Sequence, residues 1–433
     1  MVIVDSALEK RHREGNPVRV ALIGAGYMGR GIALEIISSM PGMRLVAVCN
    51  RHIARAEQAY QEAGVDSYKE VNNVAELEEA VRHGNYAVSE DPMLLCRAEN
   101  IEAIIDATGE IELGAHVATE SIRHGKHIIL MNAELDATIG PILKVYADRA
   151  GVIYTYTDGD EPGVAMNLYR FVKSIGYRPV LMGQIKGFLD RYRNPETQRG
   201  FAEKHKQKAA MVASFADGSK LCLESTLMAN ATGFVPGVRG MFGHQCTHVK
   251  DLLKLFAPEQ LLSEGLVDFA LGAEPHTGGF VVGYNDHPVK KAYMQYFKMG
   301  EGPFYVFYTP YHLPHLQLPL TVARAVLFKD ATLAPVGGPV CDTGSFAKRD
   351  LKSGELLDGM GGFTCYGLID RYEVCQKEGL LPMALSQGCR LKRDIPKDQG
   401  IRLSDIELPP GRLCDKLRAE QTDFFRRSPA ALS

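Results

Sequence analysis

The sequence lacks the features that are typical of membrane proteins, secreted proteins and proteins with structural zinc sites. No apolar run reaches the roughly 18 residues that a membrane-spanning helix needs. The first residues, MVIVDSALEKRHREGNP, are too polar and charged for a signal peptide and predict a short helix. The nine cysteines include no C-x-x-C pair, which favours reduced thiols over a disulfide framework or a zinc site. We therefore expect a cytoplasmic protein that has no membrane partner.

The sequence also lacks a strong excess of charge. It has 49 Lys and Arg residues against 52 Asp and Glu residues, a formal net charge of −3. Nucleic-acid binding needs a basic surface, so we expect no nucleic-acid partner. The basic stretch AEKHKQK contains no interleaved aromatic residue and is interpreted as a solvated helix face. No internal repeat is present, and 433 residues are enough for two or three domains.

The sequence does contain a glycine motif between a strand pattern and a helix pattern. In VRVALIGAGYMGRG, Val18–Ile23 reads as a buried strand and Met28–Met40 has the apolar spacing of a helix. Gly24 would permit the tight turn, Gly26 would leave space for a pyrophosphate, and Gly29 would allow close helix packing. Because the helix N-terminus can donate to phosphates, the motif predicts a bound dinucleotide.

The end of the second predicted strand indicates which dinucleotide is bound. Leu45–Cys49 ends where NAD-specific sites place an acid on the ribose 2′-hydroxyl, about 20 residues beyond the glycines. This chain has Asn50 and Arg51 there. With no carboxylate to repel a 2′-phosphate and a guanidinium to bind one, the sequence favours NADP(H), with NAD(H) as the alternative. The other interpretation of Arg51 is a side chain that only points into solvent.

Further strands and helices alternate along the first 155 residues. IEAIIDATG is a third strand, and it is followed by a helix at Leu113–His124 and a strand at His127–Met131. This alternation predicts an α/β fold with a doubly wound parallel sheet of Rossmann type at residues 1–155. The residues expected to contact the cofactor are Gly24, Gly26, Tyr27, Met28, Gly29, Asn50, Arg51, Ala107, Thr108, Gly109 and Asn132.

The pattern changes near Thr155. RPVLMGQIKGF, AAMVASFADGSKLCLES, GGFVVGYND and GPFYVFYTP are interpreted as strands of a mixed or antiparallel sheet. They predict an α+β catalytic and dimerisation domain at 156–335, and hence a homodimer, with the helix Leu318–Phe328 returning to the first domain. Beyond the linker PVGGPV, residues 341–420 predict a small β-rich domain, in which DGMGG is a tight turn.

Motifs along nearly the whole chain resemble a known family. VALIGAGYMGRG, IIDATG, GKHIILMNAELDATIGP, TDGDEPGV, DGSKL, ANATGF and YHLPHLQLPLTVARAVL are similar to the homoserine-dehydrogenase-like oxidoreductases. AKRDLKSGELLDGMGG and LKRDIPKDQGIRLSDIEL resemble the two halves of the SAF-type domain that these enzymes carry at the C-terminus. One branch of the family is similar in activity to 1-deoxy-D-xylulose 5-phosphate reductoisomerase, an enzyme of isoprenoid precursor synthesis. The resemblance implies an NAD(P)-dependent oxidoreductase with a SAF-like domain.

Three carboxylates of TDGDEPG are candidates for chemistry. Asp158, Asp160 and Glu161 lie between a predicted strand and helix, where carboxylates can act as general acid or base or bind a divalent ion. The alternative is a capped turn in which Asp160 satisfies backbone N–H groups. No histidine joins the cluster in sequence, and YHLPH, with His312 and His315, is interpreted as a structural turn. We therefore expect no metal.

Two lysines and a set of polar residues complete the predicted site. The resemblance makes Lys186, in GQIKGF, a candidate proton donor to a developing alkoxide, provided that desolvation lowers its pKa. Lys220, in DGSK, is the second candidate, and its alternative is a solvated turn lysine. The candidates for binding a substrate phosphate or carboxylate are Arg191, Arg193 and Arg239, each of which is otherwise a surface arginine. Asn230 and Thr232, in ANATG, are further candidate substrate residues.

The sequence thus predicts an NADP(H)-dependent oxidoreductase that acts on a small polyhydroxylated carbonyl or alcohol compound, with or without a phosphate. Two narrower alternatives are a reductoisomerase-like enzyme and a homoserine-dehydrogenase-type enzyme. A third is a non-catalytic dinucleotide-binding sensor, because fold alone does not establish chemistry. Charged residues at several predicted strand ends favour an enzyme, since a sensor has no need of them.

Overall fold

The computed structural model describes residues 2–427. Its strands are β1 (Val18–Ile23), β2 (Met43–Cys49), β3 (Tyr68–Glu70), β4 (Tyr86–Ser89), β5 (Ala103–Asp106), β6 (His127–Leu130), β7 (Tyr154–Tyr156), β8 (Arg178–Lys186), β9 (Leu266–Leu271), β10 (Gly279–Tyr284), β11 (Phe304–Thr309), β12 (Cys341–Ala347), β13 (Cys365–Arg371), β14 (Arg390–Leu391) and β15 (Ile406–Glu407).

The α-helices follow the same chain order. They are α1 (Val2–Arg13), α2 (Tyr27–Ser39), α3 (Ile53–Glu62), α4 (Val74–Arg82), α5 (Pro92–Arg97), α6 (Ile111–Arg123), α7 (Ala133–Ala150), α8 (Glu161–Ser174), α9 (Arg199–Lys204), α10 (Ala209–Ala216), α11 (Ser219–Thr232), α12 (Pro258–Ser263), α13 (Pro288–Tyr296), α14 (Pro314–Phe328), α15 (Tyr372–Glu378) and α16 (Leu413–Arg427). Across residues 2–427, none of them combines the length and apolarity that a membrane crossing requires.

The chain divides into two compact units. The first consists of the chain up to Gly159 together with Leu313–Ala334 and Leu413–Phe424, and the second is formed mainly by Asp160–His312 and Pro335–Arg412. The first boundary lies four residues beyond the predicted one at 155, as Gly159 closes the first unit. Residues 335–412, here called the C-terminal module, group with the second unit, whereas the sequence predicts a separate domain at 341–420.

The first unit contains the predicted doubly wound sheet. Its seven strands have the order β3-β4-β2-β1-β5-β6-β7, and every pair is parallel. The chain proceeds outward from β1 in both directions, so the carboxyl ends of β1 and β5 flank the position where such sheets bind dinucleotides. The predicted α/β fold of Rossmann type is confirmed.

Helix α14 belongs to the first unit although most of the second unit precedes it in the chain. Leu318 and Val322 of α14 lie in the same hydrophobic core as Ile32 and Ile36 of α2. The apolar spacing LPLTVARAVL therefore supplies one face of a helix that packs against the glycine-motif helix. The prediction that this segment returns to the first domain is confirmed.

The second unit contains a mixed four-stranded sheet. Its order is β11-β10-β8-β9, with antiparallel pairs β10–β11 and β10–β8 and a parallel pair β8–β9. Helix α8 packs against β8 and β10. Apolar residues of the strands form a core that includes Leu181, Ile185, Phe280 and Val306. The predicted mixed sheet is present, with Leu266–Leu271 as a strand that the sequence analysis does not assign.

One predicted strand of this sheet is wrong. AAMVASFADGSKLCLES forms the helices α10 and α11, separated at Asp217 and Gly218, and Gly218 has a φ of +82°. Every residue of α11 from Ser219 to Ala231 is buried. A helix buried on all sides has no solvent-exposed face, so its residues do not separate into one polar and one apolar stripe, and periodicity does not distinguish it from a buried strand.

The C-terminal module contains two short antiparallel sheets and the helix α15. Strands β12 and β13 pair from Cys341 with Arg371 to Ala347 with Cys365, and β14 pairs with β15. In the DGMGG turn, the Asp358 carboxylate accepts from the backbone N–H groups of Phe363 and Thr364. This segment is therefore a side-chain-stabilised turn, as predicted, and small β-sheets at the C-terminal end are confirmed.

Candidate functional site

The glycine turn between β1 and α2 contains glycines that the fold requires and one that it does not. Gly24 has a φ of +101°, and a Cβ there would lie 2.7 Å from the carbonyl oxygen of Ala107. A Cβ at Gly29 would fall on the carbonyl oxygen of Gly24. Gly26 has an ordinary φ of −74°, and a Cβ there would meet nothing within 4 Å among residues 2–427. Protein packing therefore explains Gly24 and Gly29 but not Gly26.

The start of α2 suits an anion. Its N-cap is Gly26, which provides no side-chain hydrogen bond, and its first turn contains no acidic residue. Tyr27 is 51% exposed, and its ring contacts the His315 ring edge-on at a centroid distance of 6.5 Å. The backbone N–H groups of the first turn, which include those of Tyr27 and Met28, thus lie at an uncapped positive helix end.

Asp106, at the end of β5, organises two of the predicted cofactor residues. Its carboxylate accepts from Thr108 Oγ1 at 2.6 Å and from Asn132 Nδ2 at 3.0 Å. Asn132 also donates to the carbonyl of Glu110 at 3.1 Å and caps α7 by accepting from the N–H of Leu135. Burial raises the pKa of Asp106 despite these hydrogen bonds. Since the Asn132 side chain is fully buried and occupied, its contribution is to shape the loops beside Ala107–Gly109.

Asn50 and Arg51 follow β2 as predicted, but their environments differ. Asn50 Oδ1 accepts from the N–H of Ala25 at 3.3 Å, so this side chain supports the glycine turn. Arg51 is exposed. Two residues further on, the N–H of Ile53 donates to Glu90 Oε1 at 3.0 Å. The start of α3 therefore has both a basic and an acidic side chain nearby.

In the second unit, Lys186 and Glu161 form a buried ion pair. Glu161 is the first residue of α8 and Lys186 the last residue of β8. Lys186 Nζ lies 2.7 Å from Glu161 Oε1, and the two side chains are 20% and 7% exposed. The structure thus brings together two of the predicted catalytic residues. Their charge-assisted hydrogen bond lies in a poorly solvated environment, where such bonds are strong.

His312 adjoins this pair. Its Nδ1 lies 3.9 Å from Glu161 Oε1 and 2.7 Å from Thr277 Oγ1. Ligand atoms of Asp160, Glu161 and His312 all lie within 4.8 Å of one another, a donor set that could hold a divalent cation. The premise that no histidine joins the carboxylates is therefore corrected. The ammonium of Lys186 already lies against the same Glu161 oxygen that would bind such a cation.

Helix α11 adds Glu224 and Lys220. Glu224 is 2% exposed, and its Oε2 atom has no hydrogen-bond partner among residues 2–427. Burial, together with the charges of Asp160 and Glu161, raises the pKa of Glu224 to about 8, although Lys186 and Lys220 oppose the shift. Lys220 is 8% exposed and lies on a helix, so the alternative of a solvated turn lysine is wrong.

The condition set for Lys186 as a proton donor, a pKa lowered by desolvation, is not met. Burial by itself lowers the pKa of Lys186, as expected, but the carboxylates of Glu161, Glu224 and Asp160 outweigh that effect. The net result is a pKa above the ordinary value of a lysine. Lys186 is therefore an ammonium at neutral pH, held by surrounding acids and not neutralised by desolvation.

Other predicted residues have structural partners. The Asp158 carboxylate lies 3.2 Å from Arg324 Nη1 in the first unit, so it stabilises that unit. Asn230 Oδ1 accepts from the backbone N–H of Val340 at 2.8 Å, and Thr232 Oγ1 donates to the Met228 carbonyl at 2.7 Å. These contacts give Asn230 and Thr232 a structural role in the C-terminal half of α11.

The predicted arginines have contacts with other groups. Arg239 forms ion pairs with Asp370 at 2.7 Å and Glu378 at 2.6 Å. The Arg193 side chain donates to Asp190 at 3.0 Å. The exposed Arg191 guanidinium lies 5.9 Å from the centroid of the Tyr366 ring. None of these contacts brings the three arginines to the buried cluster.

Sequence reasoning misses Asp106, Glu224, Thr277 and the position of His312. A signal for Glu224 exists, because it is the one acid within the apolar run LCLESTLMA, and isolated charges in buried helices need partners. The interpretation of that run as a strand concealed it. Thr277 has no comparable signal, since a single threonine in a loop fits many roles.

Two family models match parts of the chain. Residues 18–130 match the oxidoreductase family with an NAD-binding Rossmann fold, and residues 159–318 match the catalytic domain of the oxidoreductase DRL. The second match includes Glu161, Lys186, Glu224 and His312. Both regions are therefore domains of oxidoreductase type, the first of them an NAD-binding domain. No curated protein matches the chain.

Three solved structures show similarity at low identity. An NAD-binding oxidoreductase from Klebsiella pneumoniae is 19% identical, with 40% of this chain and 43% of that chain covered and a TM-score of 0.28. A 3-ketoreductase from Actinomadura kijaniata, in complex with NADP, is 17% identical, with coverages of 40% and 49% and a TM-score of 0.28. A myo-inositol 2-dehydrogenase from Lactobacillus plantarum is 12% identical, with coverages of 73% and 91% and a TM-score of 0.39. The chain spans about half the length of the first two, and TM-scores this low carry no argument.

Proposed function

We propose that the protein is an NADP(H)-dependent oxidoreductase that interconverts a carbonyl group and an alcohol on a small polyhydroxylated compound. The observation that carries the proposal is the buried pair of Lys186 and Glu161, 2.7 Å apart, within the region that matches an oxidoreductase catalytic domain. A positioned ammonium beside carboxylates can supply the proton that accompanies hydride transfer.

The first unit supports the cofactor part of the proposal. Gly26 has no steric reason to be a glycine, whereas a pyrophosphate bound against its backbone would exclude a side chain. The uncapped start of α2 offers N–H groups to the phosphates. Arg51 is exposed and free to approach a 2′-phosphate, which supports NADPH over NADH.

Lys186 is the proposed proton donor. The cofactor, when bound, supplies the hydride in the reduction direction and accepts it in the oxidation direction. One N–H of the Lys186 ammonium donates to Glu161, and an ammonium has three. The others can donate to a substrate carbonyl oxygen, stabilise the alkoxide that develops there and transfer one proton to it.

Glu224 is proposed to restore the proton to Lys186, and Glu161 to hold the Lys186 side chain. When Lys186 has become neutral, Glu224 is the group near it that holds a proton over much of the neutral range, because burial raises its pKa to about 8. Glu161 holds the Lys186 side chain in place through the 2.7 Å contact. His312, hydrogen-bonded to Thr277, is proposed to position the Glu161 carboxylate.

A non-catalytic sensor explains less of the structure. It would bind a dinucleotide at the first unit equally well, but it would have no use for Glu224, a buried acid with one unpartnered oxygen. Burying such a group costs free energy of folding, and proteins keep buried groups of this kind mainly at functional sites. The cluster therefore favours an enzyme.

Narrower assignments remain predictions. They are a reductoisomerase-like or homoserine-dehydrogenase-type activity, a SAF-type C-terminal domain, a homodimer and a cytoplasmic location. The mass of the protein in solution, measured by light scattering, tests the homodimer. A mass equal to the 47.6 kDa of one chain would contradict it.

The experiment that tests the function is a substrate panel. Sugar phosphates, tetronates, polyols and amino-acid alcohols are incubated with the protein and NADP⁺, and their carbonyl counterparts with NADPH, while NADPH absorbance is followed. We expect turnover of at least one polyhydroxylated compound, and its loss in Lys186→Met. NADPH binding without turnover of any compound would favour the sensor.

A further inference from the structure

Helix α11 carries two different sets of polar residues on two faces. Ser219, Thr226 and Asn230 are separated by seven and four residues, so they lie within about 40° of one another around the helix axis. Lys220 and Glu224 are four residues apart and lie on a second face, roughly 120° from the first. The helix is buried along its length, so both faces contact protein.

The first face is bound by the C-terminal module through three side-chain hydrogen bonds. Ser219 Oγ accepts from the N–H of Gly367 at 2.8 Å. The hydroxyls of Thr226 and Thr343 lie 2.9 Å apart, and Asn230 Oδ1 accepts from the N–H of Val340 at 2.8 Å. The three contacts are spread over most of the helix. They therefore define both its axial position and its rotation.

A buried lysine of the module secures the start of α11. Lys348 Nζ lies 2.7 Å from Asp217 Oδ2 and donates to the carbonyls of Arg193 at 2.6 Å and Gly362 at 2.7 Å. The ammonium thus donates two hydrogen bonds to carbonyls, and its charge is paired with the Asp217 carboxylate. Asp217 in turn accepts from the N–H of Ser219 at 2.7 Å. The module is thus linked to the start of α11 through a buried ion pair and the backbone contact of Asp217 with Ser219.

The second face carries Lys220 and Glu224, and α11 packs against both α8, which begins with Glu161, and β8, which ends with Lys186. The groups that act electrostatically on Glu224 are Asp160 and Glu161 of the α8 start, Lys186 of β8 and Lys220 of α11. Electrostatic effects of this kind depend steeply on distance and burial. Any movement of α11 would therefore change the environment of Glu224.

We infer that the C-terminal module is a positioning element for the proposed site: it holds α11 through Lys348 and Thr343, and α11 in turn places Glu224 and Lys220 beside the Lys186–Glu161 pair. The catalytic role of Glu224 and Lys220 rests on the proposed function. The position of α11, which the module holds, is independent of that function. Neither matched family region extends to residues 335–412, so the inference gives this module a role of its own.

The test follows the titration of Glu224 and needs no substrate. The full chain is labelled with ¹³C-glutamate, and the Glu224 carboxyl resonance is assigned with Glu224→Gln. Thr343→Val removes the Thr343 hydroxyl that contacts Thr226, with little change in side-chain volume, and Thr343→Ser retains this hydroxyl. Lys352→Met is the matched control, because Lys352 pairs with Asp394 on the exposed surface of the same module.

We expect Thr343→Val to lower the midpoint of the Glu224 titration by about one pH unit, because a displaced helix admits water to a carboxyl that burial had kept protonated. Thr343→Ser and Lys352→Met should retain the wild-type midpoint. An unchanged midpoint in folded Thr343→Val, even with a lower melting temperature, would show that the contact only stabilises the fold and would overturn the inference.

Lys348→Met provides the second variant. It leaves Asp217 without its buried cation and should shift the midpoint further than Thr343→Val if the protein folds. Should Lys348→Met fail to fold, Thr343→Val and Thr343→Ser decide the question alone. Because these titrations use neither substrate nor cofactor, their failure is distinguishable from failure of the substrate panel.

Discussion

The glycine turn of the first unit and the charged cluster of the second differ in how they are built. The turn lies within a single short segment, and the need for glycine at Gly24 comes from Ala107, which directly follows the adjacent strand β5. The cluster is assembled from Glu161, Lys186, Glu224 and His312, which come from four separate segments. Local backbone geometry can be read from spacing, but electrostatics that arise from distant segments cannot.

Among the substitutions that test the glycine turn and the charged cluster, we expect Gly26→Val to have the largest effect, a loss of dinucleotide binding. Its side chain would take the position of the pyrophosphate, so binding of both NADPH and NADH should fall below detection while the protein stays folded. Binding is measured by calorimetry and folding by thermal unfolding. Gly200→Val is the matched control, since a Cβ at Gly200 also meets nothing within 4 Å. Retained affinity in Gly26→Val would mean that the turn is structural only.

The next effect concerns the cluster. Lys186→Met should lower kcat by about 10²- to 10⁴-fold, the usual contribution of a positioned acid or base, and leave NADPH affinity intact. Steady-state kinetics with the panel substrate measures it. Lys254→Met, which removes an exposed lysine paired with Asp251, should have no effect. A raised KM with an unchanged kcat would instead show that Lys186 only binds the substrate.

Glu224 should make stability depend on pH. Its pKa is about 8 in the folded protein against an ordinary value of 4.5, so the folded state holds a proton that the unfolded state has released. The free energy of unfolding should therefore decrease as the pH rises from about 4.5 to about 8. Glu224→Gln should remove this part of the decrease, as measured by urea unfolding across the window. Asp136, whose pKa burial raises to about 7, contributes equally to both proteins. Parallel pH profiles would contradict the assignment.

A smaller effect should follow from Arg51→Ala. The loss of a guanidinium–phosphate contact should weaken NADPH binding about tenfold and leave NADH binding unchanged, because only NADPH has the 2′-phosphate. Calorimetry with both cofactors measures the difference. Equal losses would remove Arg51 from the cofactor site. A wild-type preference for NADH would instead point to Glu90, whose carboxylate caps the start of α3.

The smallest expected effect is that of a chelator. We predict that EDTA leaves turnover unchanged, because Lys186 already provides the positive charge at Glu161 Oε1. Loss of turnover on chelation, restored by Mn²⁺ and weakened in His312→Ala, would assign a cation to Asp160, Glu161 and His312.

The first unit could be predicted in detail because its signals are local. Strand β1, helix α2 and the return of α14 follow from apolar spacing and glycine position. The helices α10 and α11 could not be predicted, because neither has a polar solvent-exposed stripe: α10 exposes the apolar Phe215, and α11 is buried on all sides. The same loss of periodicity hid Glu224.

The sequence by itself determined the parallel sheet and the glycine turn, since each depends on a residue and its near neighbours, and it named Glu161 and Lys186 as candidates. Only the tertiary structure decided that His312 and Glu224 join them, and that the pKa of Lys186 rises although burial alone would lower it. The physical reason is that a pKa depends on the sum of desolvation and charge terms, and the folded chain sets the distances that weight each term.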